Sequence, residues 1–359
     1  MTAEPRGASA ESSVDPVQPL EPFASGGLEV QPEPRASGGL GRYAVRVTLT
    51  ALGTFVFILV FNFFLFHMLP GNAALLKRGR GSDPQALIEL QKSLNAPLGT
   101  KFLDYIKNPF SIGQESLIYS RPVWSVIGDR IWPTVILLGI ATAVSVVIGV
   151  WVGIRSGWKR GSRFDKVATG LTLGLWGVPE FWLGMMLLIL LASGMGPFLS
   201  LFPTGGFISE GLDPWSPQGV LNILWHVALP ATALSLVYLA EYSLIMRASI
   251  VDESKQDYLT TGRAYGLMDK QVRRRHALPN ASLPTITLVF LNVGFIVSGA
   301  ITVEYVFSWP GLGALSVDAI RGPDLTLLQA LFMLFTVSVL IATTLADIVI
   351  AIIDPRIRT

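Results

Sequence analysis

Six stretches of mostly apolar residues divide the chain, at positions 47–68, 135–154, 167–191, 228–246, 283–303 and 327–353. Each is long enough to cross a bilayer as a helix, which takes about 20 apolar residues. The second and fifth hold no charged residue. The third, fourth and sixth hold one each, Glu180, Glu241 and Asp347. The pattern predicts an all-α polytopic membrane protein with six transmembrane helices.

The remaining segments are of two kinds. Residues 1–41 are rich in Pro, Gly, Ser, Ala and Glu and show no apolar periodicity, which predicts a disordered tail. They lack the short apolar core and cleavage site of a signal peptide. The first transmembrane helix then occupies 42–70, a long connector runs over 71–132, and a five-helix core fills 133–358. Within the connector, Asp83-Pro84 reads as a helix start, with Ala86, Leu87, Leu90 and Leu94 on one face. Phe102, Leu103 and Ile106 form a second short apolar face, and Val123, Val126 and Ile127 a third just before the second span. These predict short amphipathic helices on the outer membrane surface or packed on the outer ends of the spans.

Charge sets the orientation. Arg35, Arg42 and Arg46 precede the first span, and Arg155, Lys159, Arg160, Arg163 and Lys166 lie between spans two and three. Arg247, Lys255, Arg263, Lys270 and Arg273 to Arg275 follow span four, and Arg356 and Arg358 follow span six. The connector between spans three and four has no Lys or Arg. Basic connectors stay in the cytoplasm, so both termini are expected there. The connector at 71–132 is basic but about 60 residues long, and loops of that length cross largely regardless of charge. Overall composition agrees: 51% of residues are hydrophobic and 14% charged, well under the roughly 25% charge of soluble domains. A net charge of +2 gives no footing for nucleic acid. With no cysteine and three dispersed histidines, thiolate catalysis and a histidine-rich metal site are not expected.

The chain has no G-x-x-x-x-G-K-[ST] phosphate loop, H-E-x-x-H or G-x-S-x-G motif. Its most informative segment is the connector at about 252–280. It has helical spacing, a break at Gly266 and an expected stop at Pro279, and Leu259, Ala264 and Leu267 form an apolar ridge among basic residues. Such a helix suits a partner's groove or, alternatively, an anionic lipid surface.

The run Tyr258-Leu-Thr-Thr-Gly-Arg-Ala-Tyr-Gly266-Leu267, followed by Arg275-His-Ala-Leu-Pro-Asn280, resembles the cytoplasmic "EAA" loop of ABC importer permeases, above all the dipeptide/oligopeptide/nickel class. Further matches follow in order: Leu69-Pro-Gly-Asn72; Pro97-Leu98, Tyr105 and Arg121-Pro-Val123; Pro179, Phe181 and Trp182; Val303-Glu-Tyr-Val-Phe307 with Pro310-Gly-Leu-Gly313; and Asp347 with Asp354-Pro-Arg356. The resemblance covers about residues 43–358. Gly262 departs from it, standing where the family has alanine, at a helix cost of about 1 kcal/mol.

The resemblance implies a type I ABC importer permease in a bacterial inner membrane, carrying di- or oligopeptides and without ATPase activity of its own. Its implied partners are a second permease, one or two ATPase subunits holding ATP and Mg, and an extracytoplasmic solute-binding protein. No cofactor or metal is expected on this chain. The coupling contact would comprise Asp257, Tyr258, Arg263, Ala264, Gly266, Leu267, Arg275, His276, Ala277, Leu278 and Pro279. Pro310, Gly311 and Gly313 would form an outer gate or turn, beside Trp309 as an interfacial anchor. Glu180, midway through span three, is a candidate for the translocation pathway or for a helix interface. Glu241 is expected to pair with Arg247, with a pathway role as the alternative, and Asp347 to hydrogen-bond locally. Gly149/Gly153 and Gly170/Gly174 have the spacing of close helix contacts. Nickel chelates or another small solute are an alternative cargo. A self-sufficient proton-coupled carrier using Glu180 is an alternative of another class, though it leaves the long basic loop without a purpose.

Overall fold

Two parallel helices with a row of glycines between them organise the bundle. In the computed structural model, which describes residues 39–68, 96–194, 200–297 and 299–353, these are α3 (Val123–Trp158) and α6 (Pro217–Glu253). A β-carbon at Gly149 would fall 2.8 Å from the Leu239 carbonyl oxygen, and one at Gly153 would fall 2.7 Å from both Met246 Cβ and the Ser243 carbonyl oxygen. Gly157 repeats the contact at 2.9 Å from the Arg247 carbonyl oxygen. Three glycines four residues apart thus let the two backbones touch. Two hydroxyls cross the same seam: Ser145 Oγ donates to the Ser235 carbonyl at 3.1 Å, and Ser235 Oγ to that of Ala141 at 3.3 Å.

The other helices are α1 (Leu40–Met68), α2 (Leu98–Lys107), α4 (Arg163–Trp176), α5 (Glu180–Leu191), α7 (Asp257–Ala264), α8 (Asp269–Ala281), α9 (Leu283–Ile296), α10 (Ile301–Val306), α11 (Leu312–Arg321) and α12 (Leu325–Ile353). No strand occurs among the described residues. α1 and α12 pack antiparallel, so the start of α1 and the end of α12 share one end of the bundle, and α12 also packs on α9. α4 and α5 lie against α6. At the opposite end, Phe66, Val123, Ile127, Leu312, Leu315 and Leu327 form a core joining α1, α3, α11 and α12. There α12 starts after the fully buried Asp324, which accepts from its own Leu327 N–H at 3.0 Å and from Ser116 Oγ at 2.6 Å.

Among the described residues, four helices are individually long and apolar enough to cross a membrane: α1, α3, α6 and α12. The other two expected spans are bent pairs. α4 and α5 meet at 100° and α8 and α9 at 49°. The first bend follows from Gly177-Val178-Pro179, since proline cannot continue the α4 ladder and disfavours helix at Val178. The stretch expected at 283–303 stops at Ile296, and Gly299, at φ +79°, turns the chain into α10. Val123, Val126 and Ile127 pack against the ends of the neighbouring helices, the second of the two expected placements, but they open α3 itself rather than forming a separate helix. The expected helix at 83–94, the Leu69–Asn72 and Asp354–Arg356 motifs and residues 1–38 of the tail lie outside the described residues.

Gly170 and Gly174 do not form the expected contact: no atom lies within 4 Å of a β-carbon placed on either. Replacing Gly153 with alanine should therefore destabilise the bundle by about 1–3 kcal/mol through backbone overpacking. Gly170→Ala should leave stability unchanged or slightly raised. Thermal unfolding of the two variants in detergent compares them directly.

Candidate coupling loop and polar pathway residues

The connector between α6 and α9 folds into a buried root and an exposed tip. Leu259, Val272 and Ala277 are fully buried and pack together against Trp158, the last residue of α3. Leu259 is thus an anchor, not part of an outward ridge. Helix α7 carries Asp257 in its first turn and Arg263 in its last, each opposing the helix dipole. It ends where Gly266, at φ +85°, reverses the chain. The Gly266 N–H reaches the Arg263 carbonyl at 2.9 Å, and the Leu267 N–H reaches that of Gly262 at 3.2 Å. These two bonds define a Schellman close, which requires a left-handed residue at the Gly266 position. Around the turn, Tyr265 is 85% exposed and Met268 65%, with Ala264 and Leu267 exposed beside them.

Trp158 holds the root in place. Its Nε1–H donates to Asp269 Oδ2 at 2.8 Å, and the guanidinium groups of Arg263 and Arg273 lie 5.8 and 6.0 Å from its ring centre. The same indole packs with Met246, Ile250 and Ala281, so one residue joins α3, α6 and the loop. A second clasp forms behind it. The Tyr258 hydroxyl donates to Glu253 Oε1, and Asn280 Nδ2 donates to that hydroxyl at 3.0 Å. Burial, reinforced by the Glu253 carboxylate, pushes the Tyr258 phenol up to about 12. Arg275 and His276 are exposed, while Leu278 is half-buried. Pro279 does not stop the helix. A π-helical segment, Val272–Ala277, precedes it, Pro279 falls in the first turn of the α-helical stretch that follows, where its missing N–H is tolerated, and the chain bends at Ser282 instead.

Glu180 stands at the bend of the third span, as the first residue of α5, rather than mid-helix. A carboxylate there complements the helix dipole, and Glu180 also accepts from Thr302 Oγ1 at 2.6 Å. Tyr238 lies within electrostatic reach of both Glu180 and Glu241. Glu241 hydrogen-bonds to Asn292, whose Nδ2 donates to the Tyr242 hydroxyl at 2.9 Å. Tyr238 and Asn292 line a cavity of about 180 Å³ with Leu138, Thr142, Phe295 and Gly299. Neither carboxylate lines that cavity itself; Tyr238 does, and it lies within reach of both. Arg247 does not pair with Glu241. It makes a two-pronged ion pair with buried Asp165, Nε to Oδ1 at 2.6 Å and Nη2 to Oδ2 at 3.1 Å. Asp165 sits one turn into α4, capped by Ser162, so the pair ties α4 to the end of α6. Its signal in the sequence is a single acid in an otherwise basic connector. Asp347 makes no side-chain hydrogen bond among the described residues, against expectation.

The segment 310–313 is a buried joint. Glu304, fully buried, accepts from Thr134 Oγ1 at 3.1 Å and from the Ala314 N–H at 2.9 Å, closing the start of α11. Gly299, Gly311 and Gly313 wall the carboxylate so closely that any β-carbon there would meet it. Trp309 is 1% exposed and donates to the Pro133 carbonyl at 2.9 Å, so it is a core residue and not a membrane-surface anchor. Among the described residues no group of His, Asp and Glu is arranged to hold a metal ion.

Comparison with known proteins gives a concordant result. Residues 145–359 match the family model described as "Binding-protein-dependent transport system inner membrane component", and residues 40–138 match its N-terminal companion. The chain is 33% identical to the dipeptide transport system permease protein DppB of Escherichia coli K12, over 85% of this chain and 95% of that protein. It is likewise 33% identical to the glutathione transport system permease proteins GsiC of Pectobacterium atrosepticum and Salmonella typhi, over 88% of this chain and 98% of each.

Two substitutions test this geometry. A β-carbon at Gly262 would meet only Leu267 Cδ1, at an ordinary 3.6 Å, and Val272 beyond it. Gly262→Ala should therefore stabilise the loop by about 0.5–1 kcal/mol, seen as slower amide exchange across α7. Gly311→Ala should cost about 1–3 kcal/mol, and much of that loss should disappear in a Glu304→Ala background. A double-mutant cycle on thermal stability measures the coupling.

Proposed function

Because this chain belongs to the inner-membrane components of binding-protein-dependent transport systems, we propose that it forms half of an ATP-driven import pathway for short peptides and receives the ATPase stroke through the loop between α6 and α9. It is a multi-pass permease subunit of the cytoplasmic membrane, homologous to dipeptide and glutathione permeases. In this reading the four continuous helices and both bent pairs cross the membrane, giving six spans with both termini in the cytoplasm. The basic connectors at the end of the bundle that carries the termini support that orientation. A second, related permease completes the pathway. One or two partner ATPases hold ATP and Mg, and an extracytoplasmic binding protein delivers the cargo.

The observation that carries the reading is the division of the loop into root and tip. Tyr265, Leu267 and Met268 stand exposed beside Arg263 on a turn that is already closed. Aromatic and aliphatic anchors flanked by arginine suit a groove on a partner. A pre-formed turn loses little conformational freedom on docking. The buried root would pass the displacement through Trp158 into α3 and α6. Relatives named for dipeptide and glutathione transport support a short peptide as cargo. Glu180 and Glu241 supply carboxylates suited to a peptide's ammonium group. The turn at Pro310, Gly311 and Gly313, braced by Glu304, would serve as a fixed abutment at the outer end.

Removing the tip side chains together, Tyr265→Ala with Leu267→Ala, should weaken co-purification of the ATPase at least tenfold while leaving the thermal stability of this chain within about 0.5 kcal/mol. Leu259→Ala should instead destabilise the fold by about 2–5 kcal/mol. Normal ATPase recovery with the tip variant would overturn the proposed contact.

A further inference from the structure

At the end of the bundle where α1 starts and α12 ends, the two helices part around a groove of about 550 Å³. Tyr43, Arg46, Thr50 and Thr54 form one wall, and Thr343 and Asp347 are on the other. Thr50, Thr54 and Thr343 donate to carbonyls of their own helices at 2.9–3.0 Å, leaving their oxygens as acceptors. The Arg46 and Asp347 side chains face the same groove but form no ion pair with each other. Neither has a hydrogen-bond or ion-pair partner among the described residues.

Depth gives these two charges their meaning. α1 is 29 residues long, about 44 Å at 1.5 Å per residue. A hydrocarbon core of roughly 30 Å leaves about 7 Å of the helix in the headgroup layer at each end. Arg46 lies about 9 Å from the start of α1, and Asp347 about 9 Å from the end of α12. Both therefore sit at the boundary between headgroups and acyl chains, within reach of a lipid headgroup. A second groove of about 340 Å³ on the same helix pair shares Ala51, Leu340 and Thr344 with the first. It is lined almost wholly by apolar side chains, among them Leu52, Phe55 and Leu345.

We propose that these grooves bind one zwitterionic aminophospholipid from the adjoining leaflet, its phosphate on Arg46, its primary ammonium on Asp347 and an acyl chain along Leu52, Phe55 and Leu345. Charge complementarity selects this class. A purely anionic headgroup would satisfy Arg46 but set a negative charge against Asp347. A choline headgroup carries no N–H to donate to the carboxylate. The inference depends on the membrane setting of α1 and α12 and is independent of the cargo or the coupling loop.

The test uses the full-length chain assembled with its partner subunits in nanodiscs of mixed lipid, with native mass spectrometry of the lipid retained. The wild type should retain phosphatidylethanolamine over phosphatidylcholine by about tenfold, equivalent to about 1.4 kcal/mol. Asp347→Asn should abolish that preference, and Arg46→Gln should reduce retention of both lipids. Equal retention by the wild type, a preference that survives Asp347→Asn, or strongest retention of phosphatidylglycerol would each overturn the proposal. The wild-type comparison decides it alone if a variant fails to assemble.

Discussion

Backbone contact between α3 and α6 along Gly149, Gly153 and Gly157 is the constraint on which the rest of this structure rests. In a bilayer the hydrophobic effect does not draw helices together, so close packing and interhelical hydrogen bonds must do so. The glycines permit the approach, and Ser145 and Ser235 exploit it by bonding across the seam. Once the pair is fixed, its end carries Trp158, Met246 and Ile250, and these build the seat for the loop. The Asp165–Arg247 pair then fixes the entry of α4 against the same end. A partly buried bidentate pair of this kind holds direction as well as distance.

This arrangement makes mechanical sense of the coupling reading. A loop tethered only by its two chain ends would absorb displacement in its own flexibility. Here Leu259, Val272 and Ala277 are buried against the indole, and Tyr258, Glu253 and Asn280 close the other side. The tip, from Arg263 to Met268, projects beyond this root and is exposed where a partner can meet it. Movement applied there would reach α3 and α6 together, and through α6 the surroundings of Glu241 and Tyr238. The far end is braced independently by Glu304 and the glycines around it.

Much of this was legible in the sequence, for reasons that can be named. The long apolar stretches are local signals, as are the basic connectors, the left-handed turn at Gly266 and the Gly149/Gly153 spacing. What escaped depends on residues distant in sequence. Nothing near Glu304 announces that Thr134 and Ala314 will receive it, although a lone acid followed by closely spaced glycines is a trace of the cradle. Proximity along one helix points Arg247 to Glu241, whereas the ion pair forms with Asp165, 82 residues away. Trp158 carried no motif at all. The bends at Pro179 and Gly299 were visible as residues but were outweighed by the unbroken hydrophobicity around them.

In the proposed coupling, the loop tip moves as one body with α3 and α6. The chain has no cysteine, so spin labels can be introduced in pairs without background. The decisive measurement is the pulsed-electron-resonance distance between labels at Tyr265 and Arg155 in the assembled transporter, free of nucleotide and trapped with ATP. The account predicts an unchanged, narrow distribution for this pair, while a pair from Tyr265 to Leu345 on α12 shifts. A change between Tyr265 and Arg155 would mean that the loop moves independently of the helices and would contradict the account.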